Sequence, residues 1–501
     1  MTWNNQHPDS PHSSFDGGDL DCGSGLLLLI RKHLDPLRPG QLLEIRSTEA
    51  SVDEDLPAWC RLTGNELVSK VRQEATRSFL VRKAGVSVKP LAEREDYKAP
   101  REVSSPLAPR EVLPSIQPLS VMGIGSWPRP SWLMRALHEY LEGRLPEAEF
   151  QQTADDAVRL AIAAQERAGV DVVTDGEQRR DSYASFVGSR LENCQLVPIT
   201  DLLPYVDDPE KFEKELRALD VPAAKVRHPA VLGPIRRKKP LALHELHFAR
   251  GVTRKPIKIA LPGPYLLART LWMDCLTEKP YPSREPLVED IIAILREEIA
   301  QLLEAGAAIV QLDEPVLTEV VFGAPAKDRS FMCGALAERR EPVEELAFAA
   351  QLLQRVLEGF PRERLAMHVC RGNWSKDERV ALAGDYRPLL PLFNQVSVGT
   401  LFLELCTPRA GEMEVLADLP KYVRIGVGVV NQKLDQVETA EEIAAKAEKA
   451  IHIFGPERVL FNPDCGFATF ADNPVALGPI AEAKLHAIAQ AVQILRNRFP
   501  A

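Results

Sequence analysis

The chain has 501 residues, of which 45% are hydrophobic and 26% are charged, and its formal net charge at pH 7 is -10. The chain is longer than one ordinary hydrophobic core can accommodate, which predicts a barrel-sized domain together with a smaller one. The negative charge argues against nucleic acid or an anionic membrane as the main partner and favours a small-molecule substrate.

Apolar runs and cysteines indicate the compartment. No apolar run reaches the length of about 18 residues that a membrane span requires. The first residues lack the apolar core of a signal peptide. The eight cysteines are dispersed along the chain, unlike the dense pattern of a disulfide scaffold. We therefore expect a cytoplasmic protein with reduced thiols and no membrane contact.

The chain before residue 118 divides into three segments. Residues 1–17 are polar and are predicted to form a flexible tail. Residues 18–84 alternate helix-like and strand-like runs, in the order SGLLLLIRKHLDPL, QLLEIRS, VDEDLPAWCRLTG and RSFLVRK, which predicts a small α/β domain. Residues 85–117 are rich in proline and charged side chains, as is typical of an extended linker.

From residue 118 to 501, short apolar strands alternate with long amphipathic helices, which is typical of βα units around a parallel sheet. Eight strand candidates occur, at 119–127, 170–177, 257–264, 307–315, 365–370, 400–406, 423–430 and 458–466. A long insertion, about 181–256, separates the second and third. Eight units predict a closed (β/α)8 barrel. An open doubly wound sheet is the alternative, but no glycine-rich phosphate turn follows the first strand.

Candidate metal ligands lie at the predicted strand ends. His368 and Cys370 are two positions apart, so both side chains are expected to point into the barrel mouth. Other strand ends carry Glu177, Asp313, Glu404 and Cys465, and all these ends converge on one face of a barrel. Each residue alone is more often a core residue. Together, two thiolates, an imidazole and a carboxylate form a sensible tetrahedral Zn²⁺ shell, and sulfur disfavours Mg²⁺ or Ca²⁺.

These motifs resemble the catalytic domain of the cobalamin-independent methionine synthase family. The resemblance is carried by GIGSWP (123–128), DGEQRRDSYASF (175–186), LPGP (261–264), QLDEPVL (311–317), HVC (368–370), LELC (403–406) and NPDCG (462–466). It implies a (β/α)8 barrel in which zinc is bound by His368, Cys370, Glu404 and Cys465. It also implies that an amino-acid thiol is held by Glu177, Asp313 and the backbone around Ile124, Gly125 and Ser126, because an ammonium group pairs with carboxylates and a carboxylate pairs with N–H and hydroxyl donors.

The implied chemistry is alkyl transfer, most simply of a methyl group, to a thiol such as homocysteine. Zinc deprotonates a coordinated thiol and keeps a nucleophilic sulfur available. Lys433 stands where full-length members of the family carry a histidine that helps to protonate the leaving folate, and shorter relatives with other donors carry lysine there. Lys433 and Asp313 are therefore candidate catalytic residues. The identity of the alkyl donor stays open between a folate, a corrinoid and another compound.

Residues 18–84 resemble the TusA-like sulfur-carrier family, a two-layer α/β sandwich. The resemblance is carried by LDCGSGLLLLIRKHL (20–34), LLEIRS (42–47), VDEDLPAWCRLTGNEL (52–67) and FLVRK (79–83). In that family a cysteine at a helix N-terminus carries a persulfide, and Cys22 has the matching position. The family's C-P-x-P is C-G-S-G here, so a sulfur carrier with Cys22 as a catalytic residue and a degenerate docking module are both open.

Two other function classes follow from the same residues. In the first, the protein is a sulfur-relay or binding module whose barrel receives sulfur or thiol from Cys22 and which works with sulfur-transfer protein partners. In the second, it is a decarboxylase of the uroporphyrinogen type, which shares the barrel architecture. That enzyme has no use for a zinc shell, so the combination of HVC and NPDCG argues against it.

Overall fold

The computed structural model of the chain divides into two compact units, Met1–Val103 and Ser104–Ala501. The structure describes residues 3–499 apart from residues 5, 21–25, 35, 64, 74–75, 85–115, 218–226, 277–278, 324–340, 374 and 473. The division falls within the predicted linker, of which only 116 and 117 are described, and Cys22 also lies outside the described residues. Among the described helices, none combines the length and the apolar character needed to cross a bilayer.

The N-terminal unit is a sheet covered by two helices. Its elements are β1 (Ser13–Asp16), α1 (Leu27–Leu34), β2 (Leu42–Ser47), α2 (Val52–Thr63), β3 (Glu66–Gln73) and β4 (Thr76–Arg82). The strand order is β1-β2-β4-β3, with β1 parallel to β2 and the other pairs antiparallel. Ile30 and Leu56 from the helices share one apolar cluster with Ile45 and Phe79 from the sheet. The predicted two-layer α/β arrangement is confirmed.

The prediction of a flexible tail at residues 1–17 is wrong for β1. Ser13–Asp16 pairs in parallel with β2, from Leu43 to Arg46. Phe15 in this strand is buried, and its ring stacks on that of His33 with the centroids 4.7 Å apart. Pairing with β2 and burial of Phe15 hold a strand whose other residues are polar, and this polar composition concealed it.

The second unit contains eight further strands and eleven further helices among its described residues. The strands are β5 (Leu191–Pro198), β6 (Arg227–Arg237), β7 (Lys258–Pro262), β8 (Ile309–Asp313), β9 (Leu365–Val369), β10 (Thr400–Leu403), β11 (Arg424–Val430) and β12 (Val459–Pro463). The helices are α3 (Ser131–Leu141), α4 (Glu147–Ala168), α5 (Pro209–Arg217), α6 (Leu243–Val252), α7 (Pro264–Leu271), α8 (Arg284–Glu304), α9 (Val316–Phe322), α10 (Pro342–Leu357), α11 (Leu390–Gln395), α12 (Ala440–Phe454) and α13 (Gly478–Arg498). Short 3-10 helices lie at Ser185–Ser189, Ile199–Tyr205, Arg362–Arg364, Glu378–Val380, Arg387–Leu389, Pro408–Ala410, Met413–Asp418 and Pro456–Arg458.

Six parallel strands form a sheet in the order β7-β8-β9-β10-β11-β12, and two further segments close it. The closing contacts are single parallel bridges, from Val121 to Phe461 in β12, from Met122 to Val172, and from Val173 to Ile257 beside β7. The predicted (β/α)8 barrel is confirmed, but its first two strands are reduced to these bridges. One reason is that the Val121 N–H donates to the side chain of Asp171 (2.8 Å), which removes it from a regular ladder.

Parallel register determines which side chains enter the barrel interior. Asp313 of β8 lies opposite His368 of β9, which lies opposite Phe402 of β10. Because side chains alternate between the two faces of a strand, the residues two positions before each of these also face the interior. A small apolar cluster that includes Ile309, Ala366 and Phe402 fills this interior, separate from the larger core beneath the helices. Above this cluster, the interior positions nearest the carboxyl ends of the strands are polar.

The predicted insertion contains the antiparallel pair β5–β6 and helices α5 and α6, and Glu298 of α8 holds its end against the barrel. Both carboxylate oxygens of Glu298 are fully buried and accept hydrogen bonds. Oε1 accepts from the N–H groups of Ala242 (2.7 Å) and Leu243 (2.9 Å). Oε2 accepts from the Leu241 N–H (2.8 Å) and from Nη1 of Arg237 (2.6 Å). One carboxylate therefore satisfies three backbone donors and one guanidinium.

We expect Glu298→Leu to lower the free energy of unfolding of the barrel by about 3–5 kcal/mol, because it leaves Nη1 of Arg237 and three backbone N–H groups without their acceptor. Glu297→Leu is the matched control. Its carboxylate also pairs with Arg237, but its side chain is 53% exposed, so a loss below about 1 kcal/mol is expected. Denaturant unfolding of both variants measures the difference. Equal losses would contradict the anchoring role of Glu298.

Candidate active site

Three side chains with metal-binding atoms meet at the carboxyl ends of β9 and β12. His368 is in β9, Cys370 follows that strand directly, and Cys465 follows β12. Their ligand atoms all lie within 4.8 Å of one another, and the three side chains are buried. Nε2 of His368 is 3.4 Å from Sγ of Cys465. Zn–S and Zn–N bonds of about 2.3 and 2.0 Å place tetrahedral ligand atoms roughly 3.5 Å apart, so this spacing fits zinc.

The backbone of β10 sets the tautomer of His368. Nδ1 of the ring lies 3.2 Å from the carbonyl oxygen of Phe402. A carbonyl only accepts hydrogen bonds, so Nδ1 carries the proton and donates it. The lone pair then lies on Nε2, which faces Cys465. This arrangement, with one ring nitrogen donating to a carbonyl and the other free, is the one that metal-ligating histidines adopt.

The two cysteines are hydrogen bonded to each other, and this lowers the pKa of the Cys370 thiol well below its ordinary value. The neighbouring His368 acts in the same direction. The Cys465 thiol is the donor of the pair, and its pKa is raised. A thiolate is therefore already favoured at Cys370 by its protein neighbours, and thiolate is the form that binds a metal.

Glu404, the fourth predicted ligand, lies beside the three but is not part of their group. It follows β10 and is buried. Its Oε1 accepts from the N–H of Arg371 (3.0 Å), and its Oε2 accepts from Nη2 of Arg409 (3.1 Å). Burial raises the pKa of Glu404 well above its ordinary value, and the neighbouring Cys370 adds to the effect. The structure thus brings together three of the four predicted ligands and places the fourth next to Cys370.

Glu177 and Asp313 are both buried, and their charges lie close enough to interact. Burial raises the pKa of Glu177 to about 7, and the charge of Asp313 acts in the same direction. Oε2 of Glu177 has no hydrogen-bond partner among the described residues. Glu177 also has a left-handed backbone, with φ at 54°, which costs a residue other than glycine about 1 kcal/mol or more. Strain and an unpaired buried oxygen together are typical of a binding site.

Gly125 packs directly against Glu177. A Cβ atom at Gly125 would overlap Oε1 of Glu177, so a larger residue here would displace this carboxylate. The Gly125 carbonyl accepts from Oγ1 of Thr174 (2.8 Å), and the Glu177 carbonyl accepts from Nη2 of Arg129 (2.7 Å). These bonds fix the predicted substrate-binding backbone next to the carboxylate.

Ser126 and Ile124 complete the predicted substrate-binding segment. Oγ of Ser126 accepts from the N–H of Ala468 (3.3 Å) and lies against Gly466, the residue that follows Cys465. Ile124 is buried in the interior apolar cluster, which leaves only its backbone for polar contacts. The segment 124–126 therefore lies between Glu177 and the loop that carries Cys465.

Lys433 follows β11 and is buried beside the predicted ligands. Its Nζ has no hydrogen-bond partner among the described residues. Burial lowers the pKa of Lys433, while the negative charges of Glu404 and Cys465 act in the opposite direction. An unpaired amine at this place is available to an incoming molecule.

Sequence reasoning assigned no role to Arg180 and Glu245, which support Glu177. Arg180 binds Glu245 through Nε (3.1 Å) and Nη2 (2.6 Å), and all four atoms are buried. Its Nη1 lies 4.0 Å from Oε1 of Glu177. The only sequence signal was the place of Arg180 within DGEQRR, because Glu245 lies in the insertion, far away in the chain.

Two family models match parts of the chain. The family model described as the catalytic domain of cobalamin-independent synthase matches residues 119–205 and 214–483, and that of the sulfurtransferase TusA matches residues 25–83. A protein named methionine synthase from Saccharolobus solfataricus is 29% identical over 377 residues, which cover 75% of this chain and 94% of the relative. One of the same name from Sulfurisphaera tokodaii is 29% identical over 345 residues, which cover 68% and 84%.

A solved structure shows the same fold. The B12-independent methionine synthase from Shewanella sp. W3-18-1 superimposes with a TM-score of 0.57 at 24% identity, covering 76% of this chain and 98% of the other. The family match extends over most of the chain and contains every predicted ligand. The chain therefore belongs to the cobalamin-independent synthase family through its catalytic domain, to which a TusA-like segment is joined at the N-terminal side.

Proposed function

We propose that the protein is a cytoplasmic methyltransferase that moves a methyl group from a donor to the sulfur of an amino-acid thiol, with homocysteine as the simplest acceptor. The observation that carries this proposal is the grouping of His368, Cys370 and Cys465 at the barrel mouth. The soft donor set and the spacing fit Zn²⁺, with Glu404 as the fourth ligand. When bound, zinc supplies a thiolate nucleophile near pH 7 by lowering the pKa of a coordinated thiol. The relatives named methionine synthase support the same reaction.

The residues of the chain itself orient the acceptor. Glu177 and Asp313 present two buried carboxylates to its ammonium group. The backbone N–H groups of the segment 124–126 and the hydroxyl of Ser126 suit its carboxylate. These contacts hold the acceptor so that its sulfur points toward Cys370 and Cys465, and displacement at carbon requires this alignment of sulfur, carbon and leaving group.

Lys433 acts on the donor in this proposal. Its buried, unpaired amine lies beside Glu404 and Cys465, at the place where a leaving group departs. In its charged form it donates a proton or a hydrogen bond to the departing atom, which stabilises the negative charge that develops there.

The TusA match at residues 25–83 favours a second candidate, a sulfur relay. In this alternative Cys22 carries sulfur delivered by a sulfur-transfer protein, and the barrel receives that sulfur or a thiol without methionine synthesis. The two candidates differ in whether a free thiol is methylated and in whether Cys22 is required.

The metal content tests the ligand group. We expect purified protein to contain about one zinc ion per chain and Cys465→Ser to lose most of it, because serine is a much weaker zinc ligand than thiolate. Cys406→Ser is the control, since its thiol lies near the same end of the barrel but contacts Nζ of Lys446 (3.4 Å). Elemental analysis measures the content. A full zinc complement in Cys465→Ser would remove Cys465 from the shell.

The reaction itself is tested with free homocysteine and either methylcobalamin or methyltetrahydrofolate as donor. We expect methionine to form with at least one donor, detected by mass spectrometry, and Cys465→Ser to abolish it. Cys22→Ser is expected to keep the rate within about twofold, because a free thiol needs no carrier. Transfer of labelled sulfur from Cys22 to the barrel, with no methionine from either donor, would contradict methyl transfer and favour the relay.

The pKa of Glu177 predicts how pH affects amino-acid binding. Below a pKa of about 7 its carboxyl is neutral and does not pair with an ammonium group, whereas above it the carboxylate does. The affinity for L-methionine, measured by calorimetry, is therefore expected to rise about tenfold per pH unit up to about 7 and then level off. L-Methionine has no thiol, so thiol titration does not contribute. Glu177→Gln should bind more weakly with a flat profile, and a retained slope would assign the titration to another group.

A further inference from the structure

We infer that Lys258 and Gln311, which lie inside the barrel below the site, are positioning residues that hold the Asp313 carboxylate in place for the ammonium group of the substrate. The inference rests on the proposed function and extends it to two residues that touch neither the predicted ligands nor the substrate-binding segment. The observation that carries it is an unbroken hydrogen-bonded row of three side chains on adjacent strands.

The row begins at Lys258, the first residue of β7, whose side chain is fully buried. Its Nζ donates to Oε1 of Gln311 (2.7 Å) and lies 4.0 Å from the centroid of the Phe402 ring. Nε2 of Gln311 in turn donates to Oδ1 of Asp313 (2.7 Å). Gln311 and Asp313 are two residues apart in β8, so both side chains face the interior.

The two ends of the row dictate the orientation of the amide in its middle. The amine of Lys258 presents its N–H donors to the amide, and an ionised carboxylate has acceptors only. Gln311 therefore satisfies both neighbours only when its oxygen faces Lys258 and its NH₂ group faces Asp313. If Lys258 were apolar, the amide would be free to turn its oxygen toward the carboxylate, which would repel it. Lys258 thus acts on Asp313 through Gln311.

The burial of Lys258 supports a role beyond packing. Its neighbours in the barrel interior include the apolar side chains Ile309 and Phe402, and burying an amine there carries a desolvation penalty that a methionine of similar volume would avoid. The Phe402 ring offsets part of this cost through its contact with the cation. The same residue, through its carbonyl, orients His368. Lys258 therefore lies below both the carboxylate and the histidine of the site.

The test compares the binding of two thiols to the intact zinc-loaded protein. Homocysteine is one, and 4-mercaptobutanoate, which has hydrogen in place of the amino group, is the other. We expect Gln311→Leu to weaken homocysteine binding about tenfold and to leave 4-mercaptobutanoate within about twofold, because only homocysteine uses Asp313. Lys258→Met is the second variant and should show the same selective loss. Zinc content and thermal unfolding check that each variant is folded and loaded.

A double-variant cycle separates positioning from general support. Asp313→Asn removes the carboxylate itself, so adding Gln311→Leu to it is expected to cause no further loss of homocysteine affinity. Additive losses, or equal losses for both thiols in Gln311→Leu and Lys258→Met, would overturn the inference and leave only a structural role. A failure of the unaltered protein to prefer homocysteine over 4-mercaptobutanoate would instead overturn the proposed function, and this inference with it.

Discussion

The site depends on the register of parallel strands in a closed barrel. Asp313, His368 and Phe402 lie opposite one another on β8, β9 and β10, and alternate residues of each strand face the interior. A shift of one residue in any of these strands would turn its polar groups toward the surrounding helices. The closing bridges at Val121 and Val173 matter for the same reason, because they bring the segments with Gly125 and Glu177 to the face that carries the cysteines.

Burial then gives these polar groups their properties. Glu177 and Asp313 are like charges in a nearly dry environment, and both carboxyl groups are held in less acidic states than in water. The neighbouring Arg180 limits this rise for Glu177, and His368 and Lys258 limit it for Asp313. The two carboxylates lack enough hydrogen-bond donors by themselves, and an ammonium ligand would supply them. A group of thiols beside the carboxylates provides the second half of a site for a molecule with both an amine and a sulfur atom.

The sequence predicts this architecture unevenly, for physical reasons. Strands such as β8 and β9 are apolar runs buried on both faces, so the pattern locates them well. The short strand β1 carries one buried aromatic residue, Phe15, among polar residues, and the first two barrel strands give way to bridges because a side chain takes one of their backbone donors. Cys370 and Cys465 are recognisable from their places at strand ends. Lys258 is not, since a lysine that begins a strand is typical of an exposed position.

The pair of Arg180 and Glu245 gives the insertion a further significance. Glu245 lies on α6, in the segment between the second and third barrel strands, yet its partner Arg180 approaches Glu177. A charge in the insertion therefore influences, through Arg180, the carboxylate that is expected to bind the amino acid. Replacing this segment with that of a homologue would exchange the counter-ion of Arg180 as well as a surface. Chimaeras and natural recombinants that separate Arg180 from Glu245 should therefore have an altered preference for their amino-acid ligand.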